Sequence, residues 1–179
     1  MRKTLINLHL LFAGFMAPAF LLVAISGGAY LAGFKGTLDE SPVSLPAGAS
    51  LDFNADTLED DVRALLAEAD IDHDFEYIRN RGSRIELRPT SRRYLSFSQT
   101  PQGLRATRHD PDLQKSMIEL HKGHGPKLFR TYQQVVSITL IGVVLGGVAV
   151  GLLARVYRRR TLLAVALGTM VFALLALVA

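Results

Sequence analysis

Histidines are the side chains of this sequence best suited to bind a metal or a cofactor, because the chain has five of them and no cysteine. His121 and His124 lie three residues apart in the string E-L-H-K-G-H-G-P, and His9 lies near the start of the chain. Imidazole is a frequent ligand of transition metals and of haem iron. His121 and His124 could therefore bind one metal ion together, and each of the three histidines could bind haem.

The spacing of His121 and His124 limits what they can hold. Residues three apart on a helix point to the same side, so these two histidines cannot hold a haem between them. A metal ion bound to both would need carboxylate ligands as well, such as Asp110, Asp112 or Glu119. The string also has a structural interpretation, in which its glycines and proline end a helix and its basic residues lie at lipid head groups. A contact with a partner protein is the third interpretation.

Sequence motifs of known catalytic sites are absent. The chain contains no phosphate-binding P-loop, no dinucleotide-binding glycine motif, and neither H-E-x-x-H nor G-x-S-x-G. We therefore predict no catalytic residues and do not expect an independent hydrolase or transferase. His73, within D-I-D-H-D, is predicted to be exposed to solvent, and His109, beside Asp110 and Pro111, is predicted to be a turn residue.

Three uncharged apolar runs flank or enclose these residues. They cover residues 4–34, 131–154 and 161–179, and none of them contains Asp, Glu, Lys or Arg. A helix needs roughly 20 apolar residues to cross a bilayer, so each run predicts a transmembrane helix. The first run also has features of a signal peptide, but it is about twice as long as the apolar part of one, which favours an uncleaved span.

Basic residues predict the orientation of these spans. Arg2 and Lys3 precede the first run, and the link at residues 155–160 contains four arginines and no acid. Short basic loops stay in the cytoplasm, so the N-terminus and this link are predicted to be cytoplasmic and residues 35–130 to lie outside. The outer segment holds 14 bases and all 16 acids of the chain. The overall net charge of +4 is therefore explained by topology, and we predict binding to a lipid bilayer and not to nucleic acid.

This orientation also separates the histidines. His9 lies about one helical turn inside the cytoplasmic end of the first span, whereas His121 and His124 lie beyond the outer end of the second. They cannot bind the same iron. A haem at His9 would need its second ligand from another subunit.

The outer segment is predicted to begin with a linker at residues 35–50 and to continue as an α+β domain at residues 51–130. An apolar stripe predicts a helix at residues 57–69, and alternating apolar residues predict four antiparallel strands at residues 75–108. A second helix should begin at Asp110. The predicted fold class is a membrane protein with three transmembrane helices and a small extracytoplasmic domain of helix, antiparallel sheet and helix.

Charge is distributed unevenly within this domain, because residues 39–76 are strongly acidic and the part from Arg79 onward is strongly basic. The two parts either balance each other within the fold or at its surface, or the basic part forms a surface for an anionic ligand or a partner. The arginines that would form the surface for an anionic ligand are Arg79, Arg81, Arg84, Arg88, Arg92 and Arg93. The residues predicted to bind a partner are Arg79, Arg81, Arg84, Arg92, Arg93 and Lys122.

Small residues recur at four-residue spacing in the second span. Gly142 with Gly146, and Gly147 with Gly151, form two overlapping G-x-x-x-G pairs. Such pairs let helix backbones approach closely in lipid. They predict either packing among the three helices of one chain or a homo-oligomer.

Two strings give the chain a family resemblance. S-G-G-A-Y-L-A-G-F-K-G, residues 26–36, ends the first span, and E-L-H-K-G-H-G-P, residues 119–126, precedes the second. Together with L-H-L around His9, and with a helix and small sheet between the spans, they resemble the PepSY-associated transmembrane proteins of the bacterial inner membrane. The resemblance extends over nearly the whole chain. It implies that residues 35–130 are periplasmic and contain a PepSY-like domain.

This resemblance implies two functions. PepSY domains are associated with the inhibition or regulation of peptidases outside the membrane, so the leading hypothesis is an accessory protein whose periplasmic domain binds or regulates a partner. Larger members of the family resemble ferric-siderophore reductases that carry electrons on haem held by helix histidines. The alternative is therefore a haem- or metal-binding subunit of an electron-transfer or iron-reduction system, using His9 and His121 or His124. This chain is smaller than those reductases.

Overall fold

The chain folds into helices at both ends and a mixed helix and sheet region between them, in a computed structural model that describes residues 2–178. Within these residues there are five helices and five strands. In chain order they are α1 (Arg2–Leu31), β1 (Leu38–Val43), α2 (Leu58–Glu68), β2 (Tyr77–Asn80), β3 (Arg84–Arg88), β4 (Tyr94–Thr100), β5 (Gly103–Pro111), α3 (Leu113–His121), α4 (Lys127–Leu153) and α5 (Arg158–Val178).

Three of the helices are long and apolar enough to cross a membrane, as the sequence predicted. The qualifying stretches are His9–Leu31, Lys127–Leu153 and Arg158–Leu177, with mean hydropathies of 2.1, 2.5 and 2.0. α4 begins at Lys127, which is earlier than the predicted start of the second span at residue 131. Most of its large apolar side chains are exposed, as expected for a surface whose solvent is lipid.

The chain divides into two compact units. The first contains α1 up to Met16, α4 from Val135, and α5. Within this unit Gly151 lies against Thr161, because a Cβ atom at residue 151 would overlap the threonine side chain. By contrast, a Cβ atom at residue 142, 146 or 147 would meet no described atom within 4 Å. Of the four glycines predicted to pack against a helix, only Gly151 does so within the described chain.

The second unit, from Ala17 to Gln134, is built on a five-stranded antiparallel sheet with the strand order β1-β5-β4-β3-β2. Successive side chains of a strand point to opposite faces of the sheet. One face is apolar, and α2 packs on it. The core residues that the strands supply are Ile85, Leu87, Leu95, Phe97 and Ala106, and those that α2 supplies are Leu58, Val62, Leu65 and Leu66.

Two sequence predictions for this unit are wrong. The predicted linker at residues 35–50 contains an edge strand, because Leu38–Val43 pairs with β5 in the register Leu38 with Pro111. The second helix does not begin at Asp110, which still belongs to β5. Asp112 caps α3 instead, since its side chain accepts a 2.7 Å hydrogen bond from the Lys115 amide. The domain therefore has a strand before its first helix.

Candidate functional site

The second face of the sheet is polar, and its side chains are charged, hydroxyl-bearing or histidine. The same alternation that buries the apolar residues places charged and hydroxyl side chains on this face. α3 and residues 122–126 contact the sheet near Thr90, whose amide donates to the carbonyl of His124 at 3.1 Å. The residues of this face on the three central strands are Arg84, Glu86, Arg88, Tyr94, Ser96, Ser98, Arg105, Thr107 and His109.

Glu119 is the centre of a buried polar network where α3 meets the sheet. Its Oε2 atom accepts hydrogen bonds from the Thr90 hydroxyl at 2.8 Å and from His124 Nδ1 at 2.7 Å. Lys122 Nζ donates to its Oε1 atom at 3.1 Å. Thr90 in turn accepts a 2.9 Å hydrogen bond from Arg88, which is 2% exposed. The network therefore joins β3 to the segment that leads into α4.

These hydrogen bonds decide the charge state of Glu119. Burial alone would raise the pKa of its carboxyl group, but the hydrogen bonds from His124, Thr90 and Lys122 and the charge of Lys122 lower the pKa to about 2. The pKa of His124 is lowered, chiefly because burial disfavours its charged form. A neutral His124 with a proton on Nδ1 donates to the Glu119 carboxylate, so this network contains a stable anion.

His109 forms the second polar centre and is not the turn residue that the sequence predicted. It lies in β5, is 1% exposed, and stacks on Tyr94 with the ring centroids 4.5 Å apart. Its Nε2 atom lies 2.8 Å from the Ser96 hydroxyl, and its Nδ1 atom lies 3.2 Å from the Glu40 carboxylate. Arg84 Nη2 lies 3.2 Å from the same Nε2 atom.

The order of serine, histidine and acid in this centre is that of a hydrolytic triad. Ser96, however, is 2% exposed in the middle of β4, so its hydroxyl does not open to a substrate. The Nε2 atom of His109 also faces two donors, Ser96 and Arg84. Burial is the main reason that the pKa of His109 is lowered, and the neighbouring Arg84 charge adds to it. The centre joins the four strands β1, β3, β4 and β5 as a structural network.

His121 and His124 have different partners. His121 Nδ1 lies 3.1 Å from the Ser26 hydroxyl, and its ring packs against Gly27, whereas His124 bonds to Glu119. Among residues 2–178, no group of three or more His, Asp or Glu side chains could hold a metal ion. The proposal of haem or metal at these histidines stays a prediction.

The remaining histidines do not join these centres. His9 has an exposed side chain on α1. His73 is half-buried and not fully exposed as predicted, and its pKa is lowered first by burial and then by the charge of Arg92.

The predicted partner-binding residues divide into separate groups. Arg81 and Arg84 lie around Glu86, with N–O distances of 3.6 and 4.0 Å, and Arg79 is opposite Glu86 in the register of β2 and β3. Arg105 lies on the same face, opposite Ser98, which is itself opposite Arg84. We call Arg79, Arg81, Arg84 and Arg105 the arginine surface.

The other predicted residues lie elsewhere. Arg93 forms an ion pair with Asp110, Arg92 is near His73, and Lys122 pairs with Glu119. Sequence reasoning did not include Arg105. The alternation of Arg105, Thr107 and His109 in β5 is the signal that could have identified it.

No family model, curated protein or solved structure matches this chain significantly. The functional assignment therefore rests on the residues and their geometry.

Proposed function

We propose that this protein is a membrane-anchored accessory protein whose α+β domain binds a partner protein outside the cytoplasm. In this proposal the domain is PepSY-like, the membrane is the bacterial inner membrane, and residues 35–130 are periplasmic. The proposal assigns binding, and not catalysis, to the polar face of the sheet.

The observation that carries this proposal is the arginine surface. Two of its guanidinium groups, those of Arg81 and Arg84, share the carboxylate of Glu86, which also accepts a 2.8 Å hydrogen bond from the buried Arg88. The side chains of Arg81 and Arg84 are 51% and 39% exposed. Arginine is well suited to bind carboxylates on a partner, because its planar group donates two parallel hydrogen bonds.

Support for the membrane anchor comes from the three apolar helices and the basic link between the last two of them. Support for the family comes from the contact between the two strings that resemble PepSY-associated proteins. Ser26 and Gly27 of the first string touch His121 of the second. Side chains of both strings thus form one junction.

Orientation can be tested with single cysteines, because the natural chain has none. We expect a membrane-impermeant maleimide to label Ser83→Cys in spheroplasts and to leave Arg159→Cys unlabelled until the membrane is opened. Labelling of Arg159→Cys alone in intact spheroplasts would reverse the proposed topology.

Partner binding can be tested by purification of the full chain from its own membranes after mild crosslinking. We expect a partner that is captured by the natural chain to be lost from the double variant Arg81→Glu/Arg84→Glu. Arg92→Glu is the matched control, because it changes an exposed arginine outside the arginine surface. Equal capture by the two variants would contradict a role for this surface.

A haem- or metal-binding subunit is the second candidate, and the hydrogen bond of His121 favours it. A ligating histidine is usually oriented by a hydrogen bond from its other ring nitrogen, and Ser26 occupies that position for Nδ1. His121 Nε2 would then be the ligand atom. A Soret band in the purified chain that disappears in His121→Ala and persists in His73→Ala would support this candidate. Absence of any band from the chain purified from haem-replete cells would oppose haem binding.

A further inference from the structure

Opposite charges lie on opposite faces of the same sheet. The exposed acids Asp56, Glu59, Asp60, Asp61 and Glu68 lie on α2 or just before it, and we call them the acidic surface. α2 packs on the apolar face, whereas the arginine surface is on the polar face. The sheet therefore prevents the two surfaces from meeting within one copy. Within residues 2–178, the only ion pair that the acidic surface makes is between Glu59 and Arg63.

Both surfaces consequently keep an excess of charge. Residues 52–76 contain ten acids and a single base, Arg63. The arginine surface has four guanidinium groups, and within residues 2–178 the ion pairs that it makes are those of Arg81 and Arg84 with Glu86. The acidic surface and the arginine surface therefore do not neutralise each other within one copy.

We infer that a second copy of this chain supplies the missing charges, with its acidic surface docked on the arginine surface of the first. The inference rests on the proposed function and names the partner of that same surface. Charge complementarity selects this occupant, because one copy presents both surfaces and neither can reach the other internally.

The resulting contact is heterologous, because one copy contributes its acidic surface and the other contributes its arginine surface. Such a contact closes into a ring or continues as a row of copies. Exposed ion pairs are individually weak, but confinement of the copies to one membrane raises their effective concentration. The association should therefore depend on the membrane and weaken with salt.

A cysteine crosslinking experiment tests this arrangement with every charge retained. Ser83 is exposed in the turn next to Arg84, and Ala64 is exposed on α2 between Asp60 and Glu68. Membranes containing both Ser83→Cys and Ala64→Cys chains should give a disulfide-linked dimer on mild oxidation. Each variant alone should give at least about fivefold less dimer, because like surfaces repel each other. Ser83→Cys mixed with Leu113→Cys, an exposed site on α3, is the matched control.

Charge reversal shows whether the contact is electrostatic. Asp60→Lys/Glu68→Lys in the Ala64→Cys chain should reduce the mixed dimer about fivefold, as should a rise in ionic strength well above physiological values. Arg81→Glu/Arg84→Glu in the Ser83→Cys chain should then restore the dimer with the reversed partner. This restoration also demonstrates that both variants fold. A mixed dimer no more abundant than the Leu113→Cys control would overturn the inference.

Failure of this inference is distinguishable from failure of the proposed function. If the mixed dimer is absent but Arg81→Glu/Arg84→Glu still releases a different captured protein, the arginine surface binds another partner. If the mixed dimer forms and no other protein is captured, the partner of the surface is the second copy itself.

Discussion

Glu119 accepts a 2.8 Å hydrogen bond from the hydroxyl of Thr90 and so connects α3 to the segment between β3 and β4. The same hydroxyl accepts a hydrogen bond from Arg88, and the same carboxylate accepts one from His124. Side chains from two segments distant in sequence, residues 88–90 and 119–124, thus form one continuous network. Arg88 and Glu119 are both buried, and each has its own charged partner, Glu86 for Arg88 and Lys122 for Glu119, while Thr90 bridges the two.

Removal of the Glu119 charge should destabilise the second unit more than removal of its exposed partner. Glu119→Gln replaces the anion that accepts hydrogen bonds from Thr90, His124 and Lys122 with a weaker neutral acceptor, so we expect the free energy of unfolding to fall by about 3 kcal/mol. Lys122→Gln, whose side chain is 52% exposed, should cost less than about 1 kcal/mol. Hydrogen exchange of β3 and β4 peptides, measured on the full chain in detergent, gives both values. Equal effects of the two variants would contradict the network.

Acid should weaken this network in a defined pH window. The pKa of Glu119 is about 2 in the fold and 4.5 as the ordinary value, so the folded state holds the anion more strongly than the unfolded chain. Its contribution is fully present above pH 4.5 and is lost as the pH falls from 4.5 toward 2. Stability measured at intervals across this window should fall more steeply for the natural chain than for Glu119→Gln. Parallel curves would show that Glu119 does not supply the dependence.

The pattern of apolar residues predicted the centre of this fold but not its edge. The alternating apolar residues of β3 and β4 are buried in the core, and so is the apolar stripe of α2. These elements were predictable because every position that faces the core carries an apolar side chain. β1 has the polar sequence L-D-E-S-P-V and pairs with β5 alone. An exposed edge strand does not need alternating apolar residues, so no pattern indicated β1. Pro42 is also more typical of a loop or a strand edge than of a central strand.

Long-range polar partners were beyond sequence reasoning for a different reason. Periodicity indicates the face on which a residue lies, but not which side chain approaches it from another element. Glu40 and His109 meet only because β1 exists and pairs with β5. The arginines were recognised as a group by composition. Their division, with Arg93 paired to Asp110, depends on which strand or turn each occupies.

Burial of His109 should make the second unit less stable in mild acid. Its pKa is lowered from 6.5, chiefly by burial, so the unfolded chain takes up a proton at a pH where the fold does not. Stability should therefore fall as the pH drops below 6.5, before the window of Glu119 is reached. His109→Asn should reduce this first decrease while the decrease below pH 4.5 remains. If the first decrease is unchanged in His109→Asn, another group such as His124 causes it.

Gly36 should be the least replaceable glycine in the segment between α1 and α2. It has a φ of +72°, and a Cβ atom there would lie 2.5 Å from the Lys115 amide and 2.7 Å from Asp112 Oδ1, at the cap of α3. Gly48 is the matched control, because its φ of +77° is similar but a Cβ atom would meet nothing within 4 Å.

Backbone strain alone should cost Gly48→Ala about 1 kcal/mol in the free energy of unfolding. Gly36→Ala combines this strain with a collision against backbone, so its cost should exceed that of the control by about 2 kcal/mol or more. Because Asp112 also accepts a 2.7 Å hydrogen bond from the Thr37 amide, displacement of the cap should expose the N-terminal turn of α3. Faster hydrogen exchange at residues 113–116 in Gly36→Ala, but not in Gly48→Ala, would identify the collision as the cause. Similar exchange in both variants would show that the loss of stability comes from the positive φ that both glycines share, and not from the collision.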